Sequence, residues 1–334
     1  MTTVSASAPC RRSSGDYFCA CATNKYGRPN SSDGVALSCE LINGTEISNE
    51  LYGEIKSRID ALKSKGHSLC LAFVLLGNDP ASEVYVRMKD RKCAELGMGS
   101  TTFRLPYDTT EEQLLRKIDE LNRDRNIQGV LVQLPLPKHI DEDKVINAID
   151  PMKDVDCFHP QNVGRMLIGN PIFLPATPAG IQQMLIRSGI ETAGKHVVIV
   201  GRSNIVGKPL AAMLMQRGKG ADSTVTVVHS MTDRLAQITS QADILVAAVG
   251  KPHFITAEMV KEGAVVIDVG TNQIDDPTAP KGKRLVGDVD MESVKDKVSK
   301  ITPVPGGVGP MTICMLMSNA VTAAEYAFEN QAQK

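Results

Sequence analysis

The sequence predicts an α/β protein of two domains, from three observations. Short apolar runs alternate with helical periodicities in two separate stretches, the interval between them is broken by Pro175 and Pro178, and 334 residues suffice for roughly two domains. Hydrophobic residues make up 42% of the chain and charged ones 22%, enough to build a core. A net charge of −1 gives no general attraction to nucleic acid or anionic lipid, so neither is an expected partner. No apolar run reaches the roughly 18–20 residues that cross a bilayer, so no membrane span is expected. The eight cysteines form no CxxC pair, which points to neither a zinc site nor a disulfide framework, and a reducing compartment is expected.

Residues 1–34 are rich in Ser, Ala, Asn and Gly and carry no periodicity, as expected of a flexible extension. The stretch lacks the roughly 7–15-residue apolar core of a secretory signal, although one Arg pair and few acids are weak marks of an organellar transit peptide. The cytoplasm is the expected compartment.

The first domain is expected over 35–172. Leu51, Ile55, Ile59 and Leu62 recur at helical spacing before Gly66. An apolar strand follows at 69–76, then a GNDP turn and the helix SEVYVRMKDRK, which stops at Gly97. On that helix Tyr85 and Lys89 share a face with Ser82 one turn earlier, placing a phenol and an amine where α/β sheets put their chemistry. An ordinary amphipathic helix with a solvated lysine would look the same, so the pair matters only if the chain supplies a pocket. A second strand reads at 100–105. Thr109 with Glu112 offers a capping box for a helix bearing Leu114, Leu115, Ile118 and Leu121, and GVLVQLP (129–135) is a third strand. Its end brings Gln133, Leu134 and Pro135 toward the Tyr85/Lys89 helix, beyond the carboxyl ends of parallel strands. In the loop 150–160, Asp150, Asp154 and Asp156 could supply a carboxylate to a ligand or simply be solvated.

A second domain is expected over 173–309. After the Pro175–Pro178 break comes a helix with Ile181, Met184, Leu185 and Ile190. KHVVIVGRSNIVGKPLAAML is then strand, glycine turn and helix, with Gly201 and Gly207 separated by five residues rather than in the GxGxxG spacing. Further strands at 223–230, 242–250 and 263–270 complete a Rossmann-type reading. An NAD enzyme ends its second strand with an acid that holds the ribose 2′-hydroxyl. Here it ends in His229-Ser230, and Arg202-Ser203 in the turn could bind a 2′-phosphate, so NADP is the expected cofactor. Near the end, three prolines and three glycines within 303–310 predict a rigid loop that approaches a flat ligand closely. A helix from Thr312 to about Phe328 is expected to return to the first domain, which residues 310–334 then complete.

In this order, GNDPASEVYVRMK, GVLVQLPLP, KDVD-x-FHPxNxG, GRSNIVGKP and PVPGGVGPMT make the chain resemble the bifunctional methylenetetrahydrofolate dehydrogenase/methenyltetrahydrofolate cyclohydrolases from about Val35 to Phe328. The resemblance implies two α/β domains flanking a cleft and a homodimer formed through the dinucleotide domain. It implies NADP-dependent oxidation of 5,10-methylenetetrahydrofolate and hydrolysis of the methenyl product to 10-formyltetrahydrofolate, with no metal. It further implies that Lys89 is the catalytic amine, Gln133 its hydrogen-bond partner, Tyr85 a platform for the folate rings, and Asp156 the residue holding the pterin. Ser82, Leu134, Pro135, Pro305, Gly306 and Gly307 are expected to border the folate. Gly201, Arg202, Ser203, Val206 and Gly207, with His229, Ser230, Gly250 and Thr271, are expected to border the cofactor. Three positions depart from the family's usual residues: Cys157 replaces Gly, Ala176 replaces Cys, and Arg91 replaces Lys. Two other readings share parts of this pattern. A different NADP oxidoreductase, such as a short-chain dehydrogenase, would place its Tyr-x-x-x-Lys after the glycine turn, and a non-catalytic folate-binding protein would not need Lys89 or Gln133.

Overall fold

The computed structural model describes residues 39–279 and 282–332. The expected extension, 1–34, lies outside them. The first described strand, β1 (Glu40–Leu41), precedes α1 (Gly44–Ser64), β2 (Cys70–Leu76), α2 (Pro80–Leu96), β3 (Gly99–Leu105), α3 (Glu111–Arg123), β4 (Gly129–Val132), α4 (Glu142–Ala148) and α5 (Pro160–Leu167). Strands β3, β2 and β4 form a parallel sheet in that order, as strand–helix–strand alternation requires.

Helix ends follow local chemistry. Gly97 takes a left-handed conformation at φ 74° after α2, which a glycine adopts without steric penalty. The capping box of α3 sits one residue later than expected. Thr110 Oγ1 accepts from Gln113 N (3.3 Å) while Gln113 Oε1 accepts from Thr110 N (2.9 Å), and Thr109 lies outside the helix. Strand β4 also stops earlier than expected, at Val132, ahead of a cis Leu134–Pro135 bond.

The second half runs α6 (Ala176–Arg187), β5 (His196–Val200), α7 (Gly207–Leu214), β6 (Thr224–Val228), α8 (Leu235–Thr239), β7 (Ile244–Ala247), β8 (Val265–Asp268), β9 (Asn272–Asp275), β10 (Lys283–Val286), α9 (Met291–Val294), β11 (Lys300–Ile301) and α10 (Val308–Ala332). Six parallel strands are ordered β1-β11-β8-β7-β5-β6. The sequence reading missed β1, whose pairing with β11 threads the start of the described chain into the second sheet. It also missed the antiparallel hairpin β9–β10, in which Leu285 lies opposite Gln273. Proline placement shifts two helix starts: α6 holds Pro178 and α10 holds Pro310, each in the first turn, where the missing N–H has no helical partner to lose.

Helix α10 packs between α1 and α6, with Met311, Cys314, Met317, Ala320 and Val321 buried against Leu51, Ile55, Ile181 and Leu185. It thus packs on α1 of the first half as well as on α6 of the second. Fully burying each large side chain contributes about 1.5–3 kcal/mol. Asn319, also buried, donates both amide hydrogens across the core, to Val155 O and Leu174 O at 2.8 Å each. No helix among the described residues is long and apolar enough to cross a membrane.

Candidate active site

Helix α2 starts where β2 ends. Asp79 Oδ2 accepts from Ser82 N at 2.7 Å, and Pro80 occupies the first turn. The helix carries a graded face: Tyr85 is 39% exposed, whereas Ser82 and Lys89 are 5% and 9% exposed. Lys89 Nζ donates to Gln133 Oε1 at 3.0 Å. Gln133 is itself oriented, its Nε2 donating to Leu134 O at 2.7 Å and its backbone N–H to Val74 O at 2.9 Å. Burial lowers the Lys89 pKa from the ordinary lysine range, and the Asp156 carboxylate offsets part of that shift. Burial likewise raises Asp156, against the pull of Lys89. Each shift brings its group closer to its neutral form, so a proton can move to or from this amine near neutrality.

The two nearby aspartates have different jobs. Asp154 is buried and accepts from Phe158 N (3.1 Å), His159 N (2.9 Å) and Asn162 Nδ2 (2.9 Å), so it ties the loop into shape. Asp156 is half-buried and makes none of these bonds. Between the two, Val155 O is held by Asn319 of α10. Next to Asp156, Cys157 adopts φ 60°, a conformation that favours glycine. Its buried thiol donates to Phe173 O at 3.3 Å. The backbone therefore keeps a glycine-like turn although the residue is Cys. The other departures lie apart: Ala176 is buried at the start of α6, and Arg91 pairs with Glu95 at 2.8 Å on the exposed side of α2.

A cavity of about 700 Å³ opens above this group. Val84, Tyr85 and Met88 of α2 form one wall, the loop Pro303–Val308 a second, and Asp268–Thr271 with Gln273 and Leu285 a third. The structure thus brings together Tyr85, Thr271, Pro305, Gly306 and Gly307. Lys89 and Gln133 are not on its lining, while Leu134 and Asp156 border a small separate hollow with Val132 and Phe158. Pro135 is exposed beside them. Sequence reasoning missed Val84 and Met88, although helical spacing puts them beside Tyr85, and missed the hairpin residues Gln273 and Leu285 entirely.

The glycine turn between β5 and α7 depends on two close approaches. Gly201 has φ 136°, and a side chain there would run into Ala248 O. One at Gly207 would run into Gly201 O. Ser203 Oγ accepts from Val206 N (3.1 Å) and Gly207 N (3.4 Å), which leaves its own proton free to donate. Val206 is buried in the core. Arg202 Nη1 lies 3.4 Å from His229 Nε2. The other ring nitrogen, Nδ1, accepts from Met231 N at 3.3 Å, so the neutral imidazole carries its proton on Nε2. Arg202 and His229 thus lie side by side at the end of β6, and exposed Ser230 follows directly. A 2′-phosphate fits this donor set, and a carboxylate that would repel it is missing from the end of β6. Gly250 N is committed to Asp288 Oδ2 at 2.9 Å. Among the described residues no group of three or more His, Cys, Asp or Glu is placed to hold a metal ion.

Two family models match the chain: the tetrahydrofolate dehydrogenase/cyclohydrolase catalytic domain over residues 42–156, and the NAD(P)-binding domain of the same family over 175–328. The chain belongs to the tetrahydrofolate dehydrogenase/cyclohydrolase family. It is 59% identical over 293 residues to the bifunctional protein FolD of Dehalococcoides mccartyi, an alignment covering 87% of this chain and 98% of that protein. It is also similar to the crystal structure of the bifunctional FolD of Campylobacter jejuni, with a TM-score of 0.80, 43% identity, and 86% and 99% of the two chains covered. The FolD of Trypanosoma brucei, solved with NADP cofactor and an inhibitor, matches with a TM-score of 0.82 and 38% identity over 87% and 98% of the chains. In this tetrahydrofolate dehydrogenase/cyclohydrolase the catalytic model covers α2, Gln133 and Asp156, and the NAD(P) model covers the glycine turn and His229.

Proposed function

We propose that this chain oxidises 5,10-methylenetetrahydrofolate with NADP and hydrolyses the methenyl product to 10-formyltetrahydrofolate in one cleft. The observation that carries the reading is the buried Lys89 amine, 3.0 Å from Gln133 Oε1 and held beneath the Tyr85 wall of a ligand-sized cavity. Tyr85 and the Pro305–Gly307 loop would sandwich the folate rings, and Asp156 would hold the pterin. Arg202, Ser203, His229 and Ser230 would hold the 2′-phosphate. When bound, NADP supplies the hydride acceptor. Oxidation asks the protein for alignment more than for proton transfer. Hydrolysis asks for both: as water adds to the methenyl carbon it must lose a proton, and the departing ring nitrogen must gain one. An amine shifted toward neutrality by burial suits that exchange, and Gln133 fixes where it points.

We also infer a homodimer through the dinucleotide-binding half, and the cytoplasm as the compartment. The direct test follows methenyl absorbance with purified protein. Methylenetetrahydrofolate and NADP should give methenyl formation followed by decay. Formation without decay would remove the hydrolase, and no formation with either nicotinamide cofactor would refute the reading.

A further inference from the structure

Two carboxylates beside the cavity are buried without a cation. Asp268 closes β8 and Asp288 follows β10, at 4% and 0% exposure, and neither belongs to an ion pair among the described residues. Asp288 Oδ2 accepts from Val249 N (2.6 Å) and Gly250 N (2.9 Å), and its Oδ1 from Lys251 N (2.9 Å) and Asn272 Nδ2 (2.8 Å). Asp268 accepts from Gly270 N (2.9 Å), Asp288 N (2.9 Å) and Val289 N (3.0 Å), while its own N–H donates to Thr302 Oγ1 (2.7 Å). These bonds join the segments leaving β7, β8, β10 and β11. The joined segments include Gly270 and Thr271 of the third wall and run directly into Gln273 and Pro303. Gly287 is packed so closely that a side chain there would strike the Asp268 carboxylate. Burial pushes the Asp268 pKa up to about 6 against its three N–H bonds, with Asp288 adding to the rise. Keeping both charges out of water is costly without a cation, and the return is a wall with one geometry.

We propose that Asp288, acting through Asp268, is a positioning residue for the oxidation step: the pair braces the cofactor-side wall so that the nicotinamide end and the folate meet in register. This rests on the two activities proposed above. The proton machinery, Lys89 with Gln133 and Asp156, hangs on the other sheet and does not touch the pair. Loosening the brace should therefore separate the two activities. Hydride transfer loses about 10²-fold for a 1 Å misplacement, whereas hydrolysis of supplied methenyltetrahydrofolate needs no cofactor.

The test is Asp288→Asn, which turns one acceptor into a donor facing backbone N–H groups. Asn272→Ala is the milder companion, because it removes only the amide bond to Asp288 and lies at a half-buried strand end. Three quantities are read: dehydrogenase kcat, hydrolysis of methenyltetrahydrofolate without cofactor, and the calorimetric Kd for NADP. The expected result is a dehydrogenase kcat lower by on the order of tenfold or more in Asp288→Asn, a weaker Kd, and hydrolysis within about threefold of wild type, with a smaller effect in the same order for Asn272→Ala. If Asp288→Asn does not fold, Asn272→Ala alone decides by its ratio of the two activities. Equal losses in both activities, or an unchanged ratio in the folded variants, would overturn the proposal. A wild-type protein lacking one of the two activities would instead refute the function on which it rests.

Discussion

Replacing Lys89 with Met keeps most of the side chain's bulk on α2 and removes the amine. The structure gives this amine one hydrogen-bond partner, Gln133 Oε1 at 3.0 Å, and one charged neighbour, Asp156. A positioned proton donor and acceptor typically contributes about 10²–10⁴-fold, or about 3–5 kcal/mol of barrier, and hydrolysis should fall by that factor. Oxidation should fall less, through lost positioning, and NADP should bind as before. Stability should depend on pH. Burial lowers the Lys89 pKa, so the folded protein binds fewer protons than the unfolded chain over the interval between the lowered value and the ordinary one. Stability therefore rises with pH across that interval, and below it the full penalty of a buried ammonium persists. Lys89→Met removes that penalty but leaves the buried Gln133 oxygen and the Asp156 carboxylate without their cation, and stripping one partner from a buried pair costs about 3–5 kcal/mol, so the variant should melt at or below the wild-type temperature at neutral pH. In the wild type, hydrolysis should rise with pH through a midpoint below the ordinary lysine range. Stopped-flow decay of methenyl absorbance, paired with calorimetric melting, measures both effects. A folded Lys89→Met enzyme that hydrolyses methenyltetrahydrofolate at the wild-type rate would sink the catalytic assignment of Lys89.

Arg202→Ala should weaken NADP by roughly 1.5–3 kcal/mol and leave NAD nearly unaffected; equal losses for both cofactors would move Arg202 to the diphosphate or to turn structure. Asp156→Asn should depress both activities with little change in melting, whereas Asp154→Asn, which sets an amide against three donors, should appear first as lost stability of about 1–3 kcal/mol. The opposite pattern would exchange the roles of the two aspartates. Cys157→Gly should preserve both activities, because the backbone is already at φ 60°, and stability should shift by no more than about 1–2 kcal/mol as relief of the left-handed strain offsets the lost thiol contact. A collapse in activity would mean that the thiol, not the turn, aims Asp156.

The features legible in the sequence were those set by short-range rules. The Tyr85/Lys89 face follows from helical spacing, its stop from Gly97, and the approach of Gln133 from the rule that ligands gather at the carboxyl ends of parallel strands. What escaped reading depended on longer-range partners. Thr109 and Thr110 offer two capping registers, and only the reach of the Gln113 side chain selects the second. Glu40–Leu41 is a strand because Lys300–Ile301 lies beside it, not through its own two residues. The hairpin supplies Gln273 and Leu285 to the cavity, but Asn272–Asp275 and Lys283–Val286 carry too little alternation to be read as a pair. The division of labour between Asp154 and Asp156 was likewise hidden, since it depends on which carboxylate the loop's own N–H groups consume.

The same contacts show how one cleft can serve two reactions with different demands. The amine, its amide partner and Asp156 belong to the first sheet and its loops, while the glycine turn, His229 and the Asp268–Asp288 pair belong to the second. Two connections keep them in register. Thr45 at the start of α1 donates its backbone N–H to Gly306 O at 3.1 Å, locking the Pro303–Gly307 loop to the first half, and Asn319 of α10 holds Val155 next to Asp156 while also holding Leu174 at the approach to α6. Each connection starts from a helix packed in the common core, so neither half can shift without disturbing buried apolar contacts. Proton transfer at Lys89 works from one buried amine whose direction Gln133 sets, whereas hydride transfer needs two flat rings in alignment. The Pro303–Gly307 loop that walls the cavity accordingly has its shape set by prolines and by glycines that allow close packing, not by long side chains that would have to find their positions anew in each turnover.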